Sequence, residues 1–271
     1  MTSGLAGPAL LFCPADRPDR YDKALAVADT VFVDLEDAVS PGEKAAARET
    51  VREALRDDPD RFVVRVNGSD TQWSADDVAM LRAVGASRVL LPKVGSAADV
   101  RALSDLAVVA LCETVAGIVN ARAIAAAENC VGLFFGAEDL TADLGGQASR
   151  DSSGRYYPAM EYAKAEVLFA AAASGKLAIH PVYLKIDDQA GLRAECEEAC
   201  AVGFAAKGCI HPSQVSVVKA AFAPTPEQVE WAKGLMAAVE EHGSGVFQYQ
   251  GQMVDGPLYT QAKNILMRTG E

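Results

Sequence analysis

The chain repeats one pattern eight times: a short apolar run of strand length, then a segment with helical spacing. Strand-like runs fall at 9–14, 30–37, 61–67, 88–93, 107–113, 131–137, 177–184 and 208–211. Helical patterns follow them at 18–28, 41–56, 74–84, 97–105, 115–127, 157–174, 188–202 and 212–221. Parallel strands need a crossover, and a helix between successive strands supplies it with a right-handed turn. Eight units in succession close on themselves, which predicts an α/β fold of the (β/α)8 TIM barrel type over residues 1–222. A length of 271 residues, half of them hydrophobic, suffices for one core of that size. Beyond 222 come a capped helix beginning in APTPEQ, a turn-rich stretch GSGVFQYQGQMVDGP and a last helix at 257–269. Residues 223–271 exceed what a barrel needs, so they are expected as a C-terminal helical extension packing on the barrel mouth or on a neighbouring subunit.

Composition narrows the classes of function. A formal net charge of −12 opposes general binding to a phosphate backbone, so no nucleic-acid partner is expected. No apolar run approaches the roughly 20 residues that cross a bilayer, and the opening MTSGLAGPALLF lacks the basic start of a secretory signal. A cytoplasmic protein without a membrane partner is the expectation. Cysteines at 13, 112, 130, 196, 200 and 209 have no metal-finger spacing and read as packing residues in a reducing compartment, the Cys196 and Cys200 pair included.

Four strand ends carry charge: VFVDLEDAV at 31–39, FVVRVNG at 62–68, ALCETVAG at 110–117 and LFFGAEDL at 133–140. Carboxylates are depleted in strands and costly to bury unpaired, so their convergence calls for a reason such as a cation. Alternation puts Phe32, Asp34 and Glu36 on the inner face, Arg65 with Val63 and Asn67, and Glu113 with Leu111. Barrel active sites lie at the carboxyl ends of the strands, so these charges share one rim. A structural ion network of Asp34, Glu36 and Arg65 is the competing reading. Glu113 and Asp139 offer hard oxygen ligands without a nearby histidine or cysteine, which suits Mg2+ keeping waters and substrate oxygens in its other positions. Such an ion stabilises an enolate or alkoxide on a bound carbonyl compound, and Arg65 opposite it is suited to a carboxylate or thioester oxygen. The pairing points to carbon–carbon bond chemistry next to a carbonyl.

The motifs LFCPADRP, VFVDLEDAV with EKAAAR, VVRVNG, LLPKV, LCETVAGI, FFGAEDL, CIHPSQ and GQMVDGP occur in this order from about residue 10 onward. Together they resemble the HpcH/HpaI aldolase and citrate lyase β-subunit superfamily, most of all its stand-alone citrate-lyase-β-like members such as citramalyl-CoA lyase. The resemblance implies a (β/α)8 barrel assembled as a homotrimer or homohexamer, acting on β-hydroxyacyl-CoA thioesters with Mg2+, coenzyme A being part of the substrate. It implies Glu113 and Asp139 as metal ligands and Arg65 as the contact to the substrate's acyl oxygens. The backbone amides of Gly136, Ala137 and Glu138 would hold a substrate carboxylate, and Asp34, Glu36 and Asp37 would orient Arg65 and metal-bound water. Asp255 matches an acidic residue that, in relatives with malate-synthase-like activity, serves as general acid or base, and it would reach an active site across a subunit interface. Arg17, Arg20, Lys23 and Lys44 lie where the family places residues for the nucleotide end of coenzyme A.

One stretch departs from the pattern: AIHPVYLKI carries His180 and Lys185 where relatives commonly have acidic residues. His180 reads as a core histidine bonded to a backbone carbonyl or as a catalytic base, and His211 as a structural residue of the eighth strand's turn. The polar loop 140–156 reads as a lid or as disorder. The resulting expectation is a Mg2+-dependent lyase on a β-hydroxyacyl-CoA such as malyl-CoA or citramalyl-CoA. Two alternatives stand beside it: an aldolase on free 2-oxo acids, and a citrate lyase β subunit acting on an acyl-carrier-protein thioester within a complex.

Overall fold

The structure, a computed structural model, describes residues 5–243 and 245–269. Eight parallel strands close into a barrel: β1 (Ala9–Pro14), β2 (Thr30–Asp34), β3 (Val63–Arg65), β4 (Arg88–Leu91), β5 (Ala107–Cys112), β6 (Cys130–Phe135), β7 (Leu177–His180) and β8 (Ala206–Cys209). β8 pairs with β1 through Lys207 opposite Ala9, which completes the ring. Between the strands run α1 (Tyr21–Leu25), α2 (Lys44–Ala54), α3 (Ser74–Val84), α4 (Ala97–Arg101), α5 (Val115–Val119), α6 (Ala121–Ala125), α7 (Ala137–Asp143), α8 (Pro158–Ala173) and α9 (Gln189–Val202), with α10 (Pro212–Phe222) after β8. Every strand sends at least one side chain into a single interior cluster: Leu10, Phe32, Val63, Leu90, Val109, Leu111, Phe134, Ile179 and Ala206. Full burial of a side chain of the larger sizes stabilises by roughly 1.5–3 kcal/mol, so this layer is the plug on which the mouth is built.

Several strands stop earlier than their apolar runs suggest, and each stop has a local cause. β2 leaves the ladder at Asp34 because that carboxylate takes the N–H groups of Glu36 at 2.8 Å and Ala38 at 3.2 Å, turning the chain. β7 ends at His180 because Pro181 has no N–H to donate. The helical pattern at 115–127 is two helices, broken at Asn120, an exposed residue whose side-chain amide donates to the Gly95 carbonyl at 2.8 Å. α7 lies where no separate helix was expected: Gly136 ends β6, and Glu138 and Asp139 supply the acidic first turn that favours a helix start.

The chain divides into two compact units after Lys219. The second holds α11 (Pro226–His242), an antiparallel hairpin of β9 (Phe247–Tyr249) and β10 (Gln252–Val254), and α12 (Gly256–Met267). It has its own core of Ala232, Leu235, Val254, Tyr259, Ala262 and Ile265. Thr225 and Gln228 exchange bonds as a capping box that fixes the start of α11. Among the described residues no helix is long and apolar enough to cross a membrane, and no cysteine is in a disulfide.

Candidate active site at the barrel mouth

The carboxyl ends of the strands surround a cavity of about 400 Å3. Its wall has two characters. All the charged lining lies on the arc from β2 to α7, where Asp34, Asp37, Arg65, Glu113, Glu138 and Asp139 stand beside the apolar Leu111, Phe134 and Phe135, whereas β7, β8 and β1 present Pro181, Val182, Ile210, Phe12 and Pro14.

Strand register builds the charged arc. Asp34 and Arg65 are cross-strand partners, and Arg65 donates two parallel bonds to Asp34, Nε to Oδ1 at 2.7 Å and Nη2 to Oδ2 at 2.6 Å. This bidentate fork fixes one edge of the guanidinium and leaves the Nη1 edge turned to Glu36 and Asp37. Glu36 Oε2 lies 3.0 Å from Nη1 but off the N–H direction, so the attraction is Coulombic and that oxygen has no hydrogen bond. Asp37 Oδ2 is 3.5 Å away, and the Phe12 ring lies under the guanidinium at 5.1 Å. The ion network and the site are therefore the same residues.

Cys112 pairs with Phe135, which sets Glu113 beside Gly136. A Cβ on Gly136 would stand 2.6 Å from Glu113 Cβ and 2.7 Å from its Oε2, so glycine is needed here for space, its φ of −112° being ordinary. Glu113 is 3 % exposed. Burial first, then the negative charges of Asp139 and Glu36, push its carboxyl up to about 8, against the pull of Arg65 and Lys93. Glu36 is also raised by burial, with Arg65 and Lys93 opposing. Lys93 donates its backbone N–H to Glu113 Oε1 at 3.0 Å, and its ammonium bonds Glu36 Oε1 and lies 3.5 Å from Asp139 Oδ1. Burial works against that ammonium, yet the bond and charge of Glu36 hold its pKa above the usual lysine value.

Glu113, buried and with the negative charge of Asp139 adding to the rise in its pKa, and Asp139 line one cavity, a pair of carboxylates that a cation would satisfy. Both donors are hard oxygens, and among the described residues no three His, Cys, Asp or Glu groups form a complete cage. An ion that keeps several waters, as Mg2+ does, suits such a partial set, and zinc does not.

The structure thus brings together Asp34, Glu36, Asp37, Arg65, Glu113, Glu138 and Asp139. Other expected residues are placed differently. The Gly136 N–H donates to the Cys112 carbonyl at 3.1 Å, still in the sheet, so it has no bond to offer a substrate; Ala137 and Glu138 begin α7. The Glu138 side chain accepts from Ser149 at 2.7 Å. Lys44 is buried under the Trp73 ring and donates to the carbonyls of Leu35 and Glu36, both at 2.8 Å, which corrects its expected place among exposed contacts to a nucleotide. Arg17 pairs with Asp19 at 3.0 Å, and Arg20 and Lys23 are exposed. Asp255 belongs to the second unit, immediately before α12.

His180 does not face the mouth. Ile179 points inward, so His180 points to the helical layer, with Nδ1 2.9 Å from Lys207 Nζ. Lys207, fully buried, also donates to the Pro181 carbonyl and to Glu195, and Glu195 pairs with Arg150 at 2.7 Å. Arg150 stacks on Tyr156, so the segment after α7 is tied down by this cluster. Burial, then the Lys207 charge, keeps His180 neutral well below the usual histidine range. Lys185 is exposed, and His211 Nδ1 is engaged with Ser213 at 2.8 Å. The site residue that sequence reading missed is Lys93: its LLPKV motif was visible, but a left-handed backbone outside glycine leaves no mark in sequence.

An eight-stranded parallel barrel with carboxylates and a buried arginine at the carboxyl rim defines a class: (β/α)8 barrels with a charged site at the strand ends. The family model "HpcH/HpaI aldolase/citrate lyase" matches residues 9–212, and the chain belongs to that family. It is 46% identical over 266 residues to a citrate lyase subunit beta-like protein of Mycobacterium tuberculosis, covering 98% of this chain and 97% of that one. It is 36% identical over 274 residues to a (3S)-malyl-CoA thioesterase of Cereibacter sphaeroides, covering 96% and 93%. Among solved structures, protein CitE of Mycobacterium tuberculosis in complex with magnesium, acetoacetate and coenzyme A superposes with a TM-score of 0.92 at 46% identity, over 99% of this chain and 100% of that one. A complex of the same protein with magnesium and pyruvate gives 0.84 at 42% identity, over 98% and 100%.

Proposed function

We propose that this chain is a Mg2+-dependent carbon–carbon lyase that cleaves or forms a β-hydroxyacyl-CoA thioester, such as citramalyl-CoA or malyl-CoA, with acetyl-CoA and a 2-oxo acid as products. The observation that carries this reading is the Glu113 and Asp139 pair facing the Asp34-held Arg65 across one cavity. Glu113 and Asp139 would hold the ion, which when bound supplies Lewis-acid stabilisation of negative charge on a carbonyl oxygen. Arg65, its Nε–Nη2 edge held by Asp34 and its Nη1 facing Glu36 and Asp37, would offer its remaining N–H groups to an acyl oxygen. The amides of Ala137 and Glu138, in the first turn of α7 where no intrahelical acceptor exists, would hold a substrate carboxylate. In cleavage a base takes the hydroxyl proton, a carbonyl forms as the carbon–carbon bond breaks, and the electron pair passes to the α-carbon of the acetyl thioester. Asp255 returns a proton to that carbon, from a neighbouring subunit of a homotrimer or homohexamer, and condensation uses the same groups in reverse.

Thioester hydrolysis is the second reading, favoured by the relative named as a malyl-CoA thioesterase. Incubation with malyl-, citramalyl- and hydroxymethylglutaryl-CoA separates the two. Acetyl-CoA plus a 2-oxo acid from malyl- or citramalyl-CoA, or acetyl-CoA plus acetoacetate from hydroxymethylglutaryl-CoA, is the expected product pair; free coenzyme A plus the intact hydroxy acid would establish hydrolysis. E113Q and D139N are expected to lower kcat/KM at least about 100-fold, in line with loss of electrostatic stabilisation. Turnover indifferent to chelation of Mg2+ would defeat both readings.

A further inference from the structure

Lys93 touches both halves of the site, and it does so in a backbone conformation that side chains rarely adopt. Its φ is +52°, in the left-handed region that a residue with a Cβ enters only at a cost. The neighbourhood enforces it: the Val94 N–H is held by the Leu111 carbonyl at 3.3 Å, and Gly117 lacks a Cβ that would stand 2.4 Å from the Val94 carbonyl. Strain of this kind persists where the surroundings over-determine the backbone, typically beside a functional group. Here it aims the amide at Glu113 Oε1, 3.0 Å away, while the side chain reaches Glu36 with Asp139 Oδ1 at 3.5 Å. Glu36 in turn stands 3.0 Å from Arg65 Nη1.

We propose that Lys93 is a positioning residue with two separable arms: its amide orients Glu113 for a divalent ion, and its ammonium holds Glu36, and through it Arg65, for the substrate's acyl oxygens. The inference rests on the lyase reading for the identity of the substrate, and its test reads binding instead of turnover.

Mn2+ affinity, from the electron paramagnetic resonance of free Mn2+, and acetoacetate affinity at saturating Mn2+, from calorimetry, report the two arms. Acetoacetate offers a carboxylate and a second carbonyl in one small probe. K93V, whose β-branched side chain resists a positive φ, is expected to weaken Mn2+ about tenfold or more. G117A, which presses a Cβ on the Val94 carbonyl without changing Lys93, is expected to weaken it in the same direction. K93M is expected to bind Mn2+ at least as tightly as the wild type, because it removes a like charge from beside Asp139, yet to bind acetoacetate about tenfold more weakly. K93R is expected to recover most of the acetoacetate affinity, which a merely structural role would not predict. The amide arm is overturned if K93V and G117A, folded by circular dichroism, bind Mn2+ as the wild type does. The ammonium arm is overturned if K93M binds acetoacetate unchanged. A wild-type protein that binds no Mn2+ overturns the lyase reading itself, and the Lys93 proposal with it.

Discussion

Gly136 shows how one missing atom shapes the site. Its dihedrals suit any residue, so G136A meets no backbone penalty; the cost arises where the new methyl meets Glu113. Overpacking of this sort costs roughly 1–3 kcal/mol, shared between global stability and displacement of the carboxylate. G136A is expected to melt a few degrees lower and to bind Mn2+ about tenfold more weakly by titration, the second effect exceeding what the stability loss explains. Wild-type affinity in G136A would show that Glu113 can shift without consequence. At this scale sequence reading reached Asp34, Arg65 and Glu113 because strand alternation and a charge at the end of an apolar run are local signals. It misplaced Lys44, because a lysine at a helix start looks the same whether solvated or covered by Trp73, 29 positions away in the chain by the numbering.

Between the wall and the helices, the cluster of His180 on β7, Lys207 on β8, Glu195 on α9 and Arg150 beyond α7 ties four segments together. His180 is held neutral, its pKa pressed far below the 6.5 of a free imidazole by burial and by Lys207, with Lys164 and Arg150 adding. The sign follows: unfolding frees the ring to take a proton, so this contribution is present above pH 6.5 and is lost as acidity increases below it. The loss is about 1.4 kcal/mol per pH unit for one proton. Denaturant unfolding at pH 7.5 and 5.5 should therefore show a larger fall for the wild type than for H180N, by about 1 kcal/mol. Equal falls would mean that His180 titrates normally. The order of strands and helices was legible because each apolar run is bounded by turn residues. The strand and helix ends were not, since they depend on where Asp34 bonds and on which neighbour Asn120 finds.

The count of eight β/α units was readable because closure follows from repetition alone, and the surplus after the eighth was readable because it exceeds that count. The place of the second unit relative to an active site has no such local signal. If Asp255 serves a neighbouring subunit, D255N and E113Q, each inactive alone, should regain a measurable fraction of wild-type turnover after subunit exchange, because mixed assemblies contain sites with both residues intact. Mixtures that stay inactive while size-exclusion chromatography shows exchanged subunits would place Asp255 and Glu113 of each site on one chain. The division of the mouth into a charged arc and an apolar arc carries a stereochemical consequence. If the proposed condensation holds, a planar oxo group laid across that boundary would have its ionic end and its alkyl end on opposite sides, an incoming carbon nucleophile would meet one enantioface, and the wall would dictate the handedness of the alcohol.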